Sequence, residues 1–191
     1  MSFAHIKYKN EIILNCYHGT DSDSAQRVEK NGRFAPTRGD SNFLGDGVYF
    51  FKGDFNQAKL HAIYVAKSRK LAFFVVFNAS VHLGACLDLC NAEHRENLIH
   101  LRGIFSRVLS SHIINDQTLI NFYAMNVQQI DTVLCEYSCK WPFGSDSRSS
   151  CKSGVMICIR NLAAIRKFMI YYRGKVIQCA HLNDPLYVVR K

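Results

Sequence analysis

Residues 12–21 read IILNCYHGTD. Ile12 to Tyr17 has the apolar, β-branched character of a buried strand, and the run ends at the small and polar His18-Gly19-Thr20. A helix is expected directly afterwards, from Asp21 to Asn31. Thr20 or Asp21 supplies the side-chain oxygen that caps its free amides. Ala25 and Val28 fall on its inward side, and Gly32 suits a left-handed stop.

A loop with Pro36, Gly39 and Asp40 leads to a β-rich run, Gly47-Val48-Tyr49-Phe50-Phe51. Asp54 then caps a second helix, with Gln57 as its capping-box partner, which should run to about Arg69. Leu71 to Phe77 reads as a strand. Asn91 opens a longer helix with Glu93 and Glu96 in its first turn and an apolar stripe of Leu98, Leu101, Phe105, Val108 and Leu109. Asp116 to Met125 reads as a shorter helix. Strands are expected at Thr132 to Tyr137, Val155 to Ile159, Phe168 to Tyr172 and Lys175 to Cys179, with an exposed loop over Gly144 to Ser153. Helices early and strands late, irregularly interleaved, give an α+β class. No GxGxxG follows a strand, so a Rossmann site for NAD is not supported.

The 191 residues suit one domain, with about two-thirds of the unfolded surface buried. A hydrophobic content of 48% argues for a packed core and against disorder. No apolar run approaches the roughly 20 residues of a membrane span. Met1 to Asn10 lacks a signal-like stretch, so a cytoplasmic protein is expected, without a membrane partner. The eight cysteines form no CxxC pair and read as free buried thiols, with a three-ligand zinc site from Cys86, Cys90 and His94 as the alternative. From Ser147 onward, nine basic residues face one acid, Asp184, within a chain of net charge +9. Such asymmetry attracts a polyanion or an acidic protein, or else only solubilises the surface.

Two segments stand out together. Tyr17-His18-Gly19-Thr20 ends a strand, and the helix after it exits at Gly32-Arg33-Phe34; further on comes Leu44-Gly45-Asp46-Gly47-Val48-Tyr49-Phe50. Together they resemble the first two signature elements of the PARP-like and diphtheria-toxin-like ADP-ribosyltransferases, an H-G-[ST] strand end and a G-x-G-[VI]-Y-F strand. The following helix with Gln57-Ala58 fits the same order. The resemblance implies one domain over residues 1–191, a split two-sheet α+β fold with NAD⁺ in the cleft between the sheets. It implies that His18 bonds a ribose hydroxyl, that the Gly19 backbone clamps the nicotinamide carboxamide, and that Tyr49 stacks on the nicotinamide ring. Thr20 and Phe50, in the same motifs, count among the cofactor-binding positions. Gln57 falls near the position of a hydroxyl donor to the carboxamide, and Leu60 where many relatives carry a second stacking aromatic.

These residue types suit the chemistry. The nicotinamide ring of NAD⁺ is already cationic while attached and departs neutral, so the site needs no general acid. It must hold the ribose and stabilise an oxocarbenium-like centre, as glycosidases do. An imidazole and a flat aromatic wall perform the holding, and glycines let backbone groups approach a ligand. The third signature residue, a glutamate in most relatives, belongs in Val155-Met156-Ile157-Cys158-Ile159-Arg160, where no acid stands. Val155 or Met156 fills the slot, and Met156 joins His18 and Tyr49 as the third catalytic position. A hydrophobic residue there implies single transfer rather than polymer synthesis. The other readings are an inactivated variant, or a domain that binds NAD⁺, ADP-ribose or a partner without catalysing. A base from the preceding strand is expected at Glu136, with Asp131 as a further candidate.

Outside the resemblance, His18 reads as a structural histidine, Tyr49 as strand packing, and Gly45 and Gly47 as turn residues. Family membership leaves the acceptor open. The basic C-terminal quarter and the interleaving of Tyr171, Tyr172, Arg173 and Lys175 favour RNA, with protein or DNA as alternatives. The compact chain looks like a bacterial or phage-related toxin effector, for which an antitoxin partner is expected.

Overall fold

In the computed structural model, which describes residues 3, 5–39, 42–108, 115–138 and 153–176, the first strand outruns its apolar signal. β1 spans Tyr8–Asp21. Ile12 and Leu14, expected inside, are 55% and 66% exposed. Asn15, at φ 55°, marks a register shift against the third strand, so apolar side chains on either side of it do not share a face. From Cys16 to Asp21 every residue is buried or half-buried.

α1 (Ser22–Asn31) is capped by Asp21, whose carboxylate accepts the Ser24 amide at 2.8 Å, and stops at Gly32 with φ 64°. β2 (Val48–Lys52) leads into α2 (Phe55–Ser68), capped by Asp54 on the Gln57 amide at 2.9 Å. β3 (Phe73–Asp88) continues well past Phe77, where its apolar run was expected to end. α3 (Ala92–Val108) and α4 (Asp116–Phe122) follow, and a π-turn, Tyr123–Val127, extends α4. β4 (Thr132–Ser138), β5 (Ser153–Ile159) and β6 (Ile165–Lys175) complete the described chain. β6 merges the strand expected at Phe168 to Tyr172 with the start of the next one. The remainder of that last strand lies outside the described residues, as does all of the Gly144 to Ser153 loop before Ser153.

Among the described residues the result is a mixed α+β fold with four helices and a six-stranded sheet in the order β1-β2-β5-β4-β3-β6. β1 also pairs with β3, so five strands close a ring. β3–β4 is parallel and the other pairings are antiparallel. Long ladders join β1, β3 and β6, and others join β2, β5 and β4. The two groups meet only along short seams, Cys16↔Lys52 and Tyr17↔Phe51 on one side and Cys86 to Asp88 with Thr132 to Leu134 on the other.

Both faces of this sheet are covered. Tyr17, Phe51, Val76, Met156 and Cys158 enter one core with α2, while Cys16, Phe50, Val75, Ile157 and Ile159 enter the other with α1. Burial on both sides explains why the first half of β3, Phe73 to Phe77, and most of β5 read as continuous apolar runs rather than alternating ones. The α3 stripe differs from the expected one. Val108 is 71% exposed and Leu109 lies outside the described residues; the buried positions are His94, Asn97 and Leu101. Two of those three are polar and are satisfied inside: His94 Nδ1 accepts the Asp88 amide, and Asn97 donates to the Tyr123 hydroxyl.

Candidate functional site

The β1–β2 ladder stops after Tyr17↔Phe51, although β1 runs on to Asp21 and β2 reaches back to Val48. His18, Gly19 and Thr20 keep partners on β3, at Phe77, Val76 and Val75, and have none on β2. The two strands therefore part at the His18-Gly19-Thr20 motif.

His18 bridges the gap. Its Nδ1 lies 2.8 Å from the backbone carbonyl oxygen of Tyr49. A carbonyl only accepts, so Nδ1 carries the proton and Nε2 of the neutral ring is an acceptor. Among the described residues Nε2 has no hydrogen-bond partner. Phe34 and Phe50 hold the ring at centroid distances of 5.1 and 5.4 Å. Burial pushes its pKa down to about 4 against the raising effect of the Tyr49 carbonyl, and charge on the nearby His61 lowers it further. The imidazole is neutral at pH 7.

Tyr49 is anchored at its other end. Its hydroxyl donates to the Gly45 carbonyl at 2.7 Å and accepts the Leu44 amide at 3.1 Å, and burial raises its pKa. The resemblance implies an imidazole and a phenol that meet across one groove to hold the same NAD⁺; here the two rings do not meet. Continuing the β1–β2 register places His18 level with Phe50, and alternation then sends the Tyr49 ring to the other face, with Phe51 and Cys158. What joins the two residues is the Tyr49 carbonyl.

The glycines also differ from expectation. A Cβ on Gly19 would lie 1.9 Å from the Ala58 carbonyl oxygen and 3.0 Å from Ala62, so that space belongs to α2 rather than to a ligand. Gly45, at φ 85°, is crowded by Asn121 and Arg160 at 2.7 and 2.8 Å from a Cβ position. The packing of α2 on Gly19 brings half-buried Gln57, next to Ala58, alongside the motif, and Thr20 is buried against β3.

The third element falls on β5. Its two candidate positions point opposite ways: Met156 pairs with Phe51 and enters the core that Tyr49 faces, whereas Val155 enters the core of Phe50 and Phe34, against which His18 rests. The Met156 side chain is therefore not brought to His18, and Val155 occupies that side. Glu136 is exposed and stands directly across from Val155 on β4, with Lys52 across from it on β2. Asp131 is committed elsewhere, accepting the Ala85 amide and the Asn161 side chain. Burial raises the Cys16 and Cys158 thiols to about 12, so neither is a thiolate nucleophile at neutral pH. Among the described residues no three His, Cys, Asp or Glu side chains converge to hold a metal ion, and His94 Nδ1 is taken by the Asp88 amide.

An open cavity of about 410 Å³ lies elsewhere, beside Asp46 and α4. Gln117 and Asn121, which line it, carried no sequence signal beyond their place in a helix.

No protein-family model matches the chain, and no solved structure does. An uncharacterized protein of Methanocaldococcus jannaschii is 34% identical over 88 residues, 44% of this chain. The match spans 41% of that relative. No described helix is long and apolar enough to cross a membrane.

Proposed function

We propose that the protein is a mono-ADP-ribosyltransferase that moves ADP-ribose from NAD⁺ to a nucleic acid, RNA, from a split α+β fold of the ADP-ribosyltransferase type. The observation that carries this reading is the neutral His18 ring at the parting of β1 and β2, with Nε2 an open acceptor for a ribose hydroxyl. The unpaired edge of β1 beside it suits a planar amide such as the nicotinamide carboxamide. In the reaction the bond between ribose C1′ and nicotinamide nitrogen breaks, and its electron pair leaves with neutral nicotinamide. An acceptor atom bonds to C1′, and its proton passes to a base, for which Glu136 is the candidate.

RNA is favoured by the +9 charge and by a half-exposed aromatic group at the start of α2. Tyr171 and Tyr172 are 53% and 37% exposed, both lie edge-on to Phe55, and Lys59 sits 4.9 Å over the Tyr172 ring. Such groups stack bases and attract their backbone. The same reading makes the protein a toxin whose activity an antitoxin would hold in check.

A second reading is a module that binds NAD⁺ or ADP-ribose without transferring it, favoured by Val155 where an acid is expected. Incubation with adenylate-labelled NAD⁺ and, separately, RNA, DNA and a cell lysate distinguishes them. We expect label in RNA, abolished by His18→Ala. Label in protein or DNA alone moves the acceptor; NAD⁺ binding with no label supports the second reading. Absence of any NAD⁺ binding overturns both.

A further inference from the structure

We propose that the end of the sheet where α1 starts and α2 and β6 finish docks the phosphate backbone of the acceptor as a single strand, a step that rests on the nucleic-acid reading above. Side-chain contacts and register bring the residues together here. Arg69, just past α2, reaches the α1 cap: its Nη1 lies 2.9 Å from Asp21 Oδ2 and 3.0 Å from Ser24 Oγ. Arg27 donates its Nη2 to the same Ser24 oxygen at 2.9 Å. Arg173 on β6 pairs with Glu29 of α1 at 2.8 Å. Lys175 stands across from Phe73, and the Val176 amide donates to the Ala72 carbonyl at 2.7 Å. The last residues of β6 therefore lie beside the segment that leaves α2 at Lys70.

Two guanidinium groups thus converge on one hydroxyl, which itself donates to Asp21 at 2.8 Å. The buried carboxylate of Asp21 balances only one of them. Each guanidinium carries five N–H donors, and among the described residues Arg27 and Arg69 each commit a single nitrogen. The remaining forks suit pairs of phosphate oxygens. Arg27, Lys67, Lys70 and Lys175 have no acid partner among the described residues. With Arg69 and Arg173 they make six cations at this end, against the three acids Asp21, Asp23 and Glu29.

An acidic protein would also answer this charge, but Phe73 points to bases. It opens β3 directly across from Lys175 and is nevertheless 53% exposed. An aromatic face among cations stacks bases that are free of a duplex, while their phosphates reach the cations around it. The place fits as well. Asp21 follows His18 by three residues on β1, roughly 10 Å. A strand held here delivers its neighbouring nucleotides to the parting of β1 and β2.

The test is fluorescence anisotropy with a labelled oligouridylate, without NAD⁺, over a range of salt. We expect the plot of log affinity against log salt to lose about 0.7 of slope for each cation removed in Lys70→Gln/Lys175→Gln. Lys7→Gln/Arg107→Gln, which removes two exposed cations just before β1 and on α3, should keep the wild-type slope. Phe73→Ala, shown to be folded by its melting curve, should weaken binding about 10-fold. Equal slopes in the two double variants overturn the proposal. So does a duplex that binds as tightly as the single strand, or polyglutamate that binds more tightly, which would make this end the seat of an acidic protein. Because NAD⁺ is absent, a changed slope in a protein that transfers no ADP-ribose keeps the surface and overturns only its role in transfer. Transfer to RNA with an unchanged slope overturns the surface alone.

Discussion

One hydrogen bond, from His18 Nδ1 to the Tyr49 carbonyl at 2.8 Å, spans the place where β1 and β2 cease to pair. A side chain thus takes over from the backbone ladder, and it does so in one protonation state of the ring, which leaves Nε2 an acceptor. The same bond ties the fold to pH.

The His18 pKa falls from its ordinary 6.5 to about 4 in the folded protein, chiefly through burial. Between those values the unfolded chain binds a proton that the folded chain does not. Stability contributed by this residue is therefore full above about pH 6.5 and is lost as pH falls towards 4. The full effect is on the order of 3 kcal/mol. For Asp21 and Asp88, burial acts to raise the pKa, but hydrogen bonds and the cations Arg69 and Lys9 outweigh it and hold both carboxyls below 3.8. They act only in more acid solution. Urea unfolding at about pH 7 and about pH 4.5 should show a large loss for wild type and a smaller one for His18→Asn, the remainder falling to His61, whose pKa burial also lowers; parallel losses would contradict the assignment.

Tyr49→Phe keeps the ring and removes its hydroxyl, which accepts from Leu44 and donates to Gly45. The buried Leu44 amide is then left unpaired, at about 1–3 kcal/mol. For a chain of this size that lowers Tm by roughly 3–10 °C. NAD⁺ binding should survive, since the stacking face is intact. Loss of NAD⁺ binding in a folded variant would instead assign the hydroxyl a contact with the ligand.

Caps and apolar runs were legible because their causes are local. Asp21, Gly32 and Asp54 act within three or four residues of themselves, and the α1 and α2 boundaries followed. The far half of β3 was not legible: Asn78, Ser80 and His82 interrupt its apolar run, and its pairing with β1 and β6 is long-range. His18 and Tyr49 were singled out from their motifs, but the face each ring takes depends on where the β1–β2 register ends, which no local pattern encodes. Gln117 was read as an ordinary helical residue, since its buried Oε1, without a hydrogen-bond partner among the described residues, is recognised only once its neighbours are in place.

Gly19→Ala tests how α2 is seated. The new methyl would meet the Ala58 carbonyl, a backbone atom of a helix, at 1.9 Å. Relief requires α2 to move off β1, and overpacking of this kind costs about 3 kcal/mol or more. Gly103 on α3 has nothing within 4 Å of a Cβ position, so Gly103→Ala should stabilise by roughly 0.5–1 kcal/mol through helix propensity alone. Thermal melts of the two variants side by side decide the matter. Similar melting temperatures would mean that α2 does not rest on Gly19.

The two candidates for the proposed third catalytic position separate most cleanly by substitution. Met156 is buried, with its side chain in the core that Tyr49 faces, while Glu136 is exposed across from Val155 on the His18 side. Met156→Leu conserves volume and should cost under about 1.5 kcal/mol, with transfer unchanged. Glu136→Gln removes only a charge at the surface, so the melt should not move. If its carboxylate takes the acceptor's proton, transfer to RNA drops by about 10²-fold or more while NAD⁺ affinity stays the same. Raising the pH of the assay would not rescue that loss. Full activity in Glu136→Gln would leave the acceptor to lose its proton to water, and Glu136 would be a solvated surface residue.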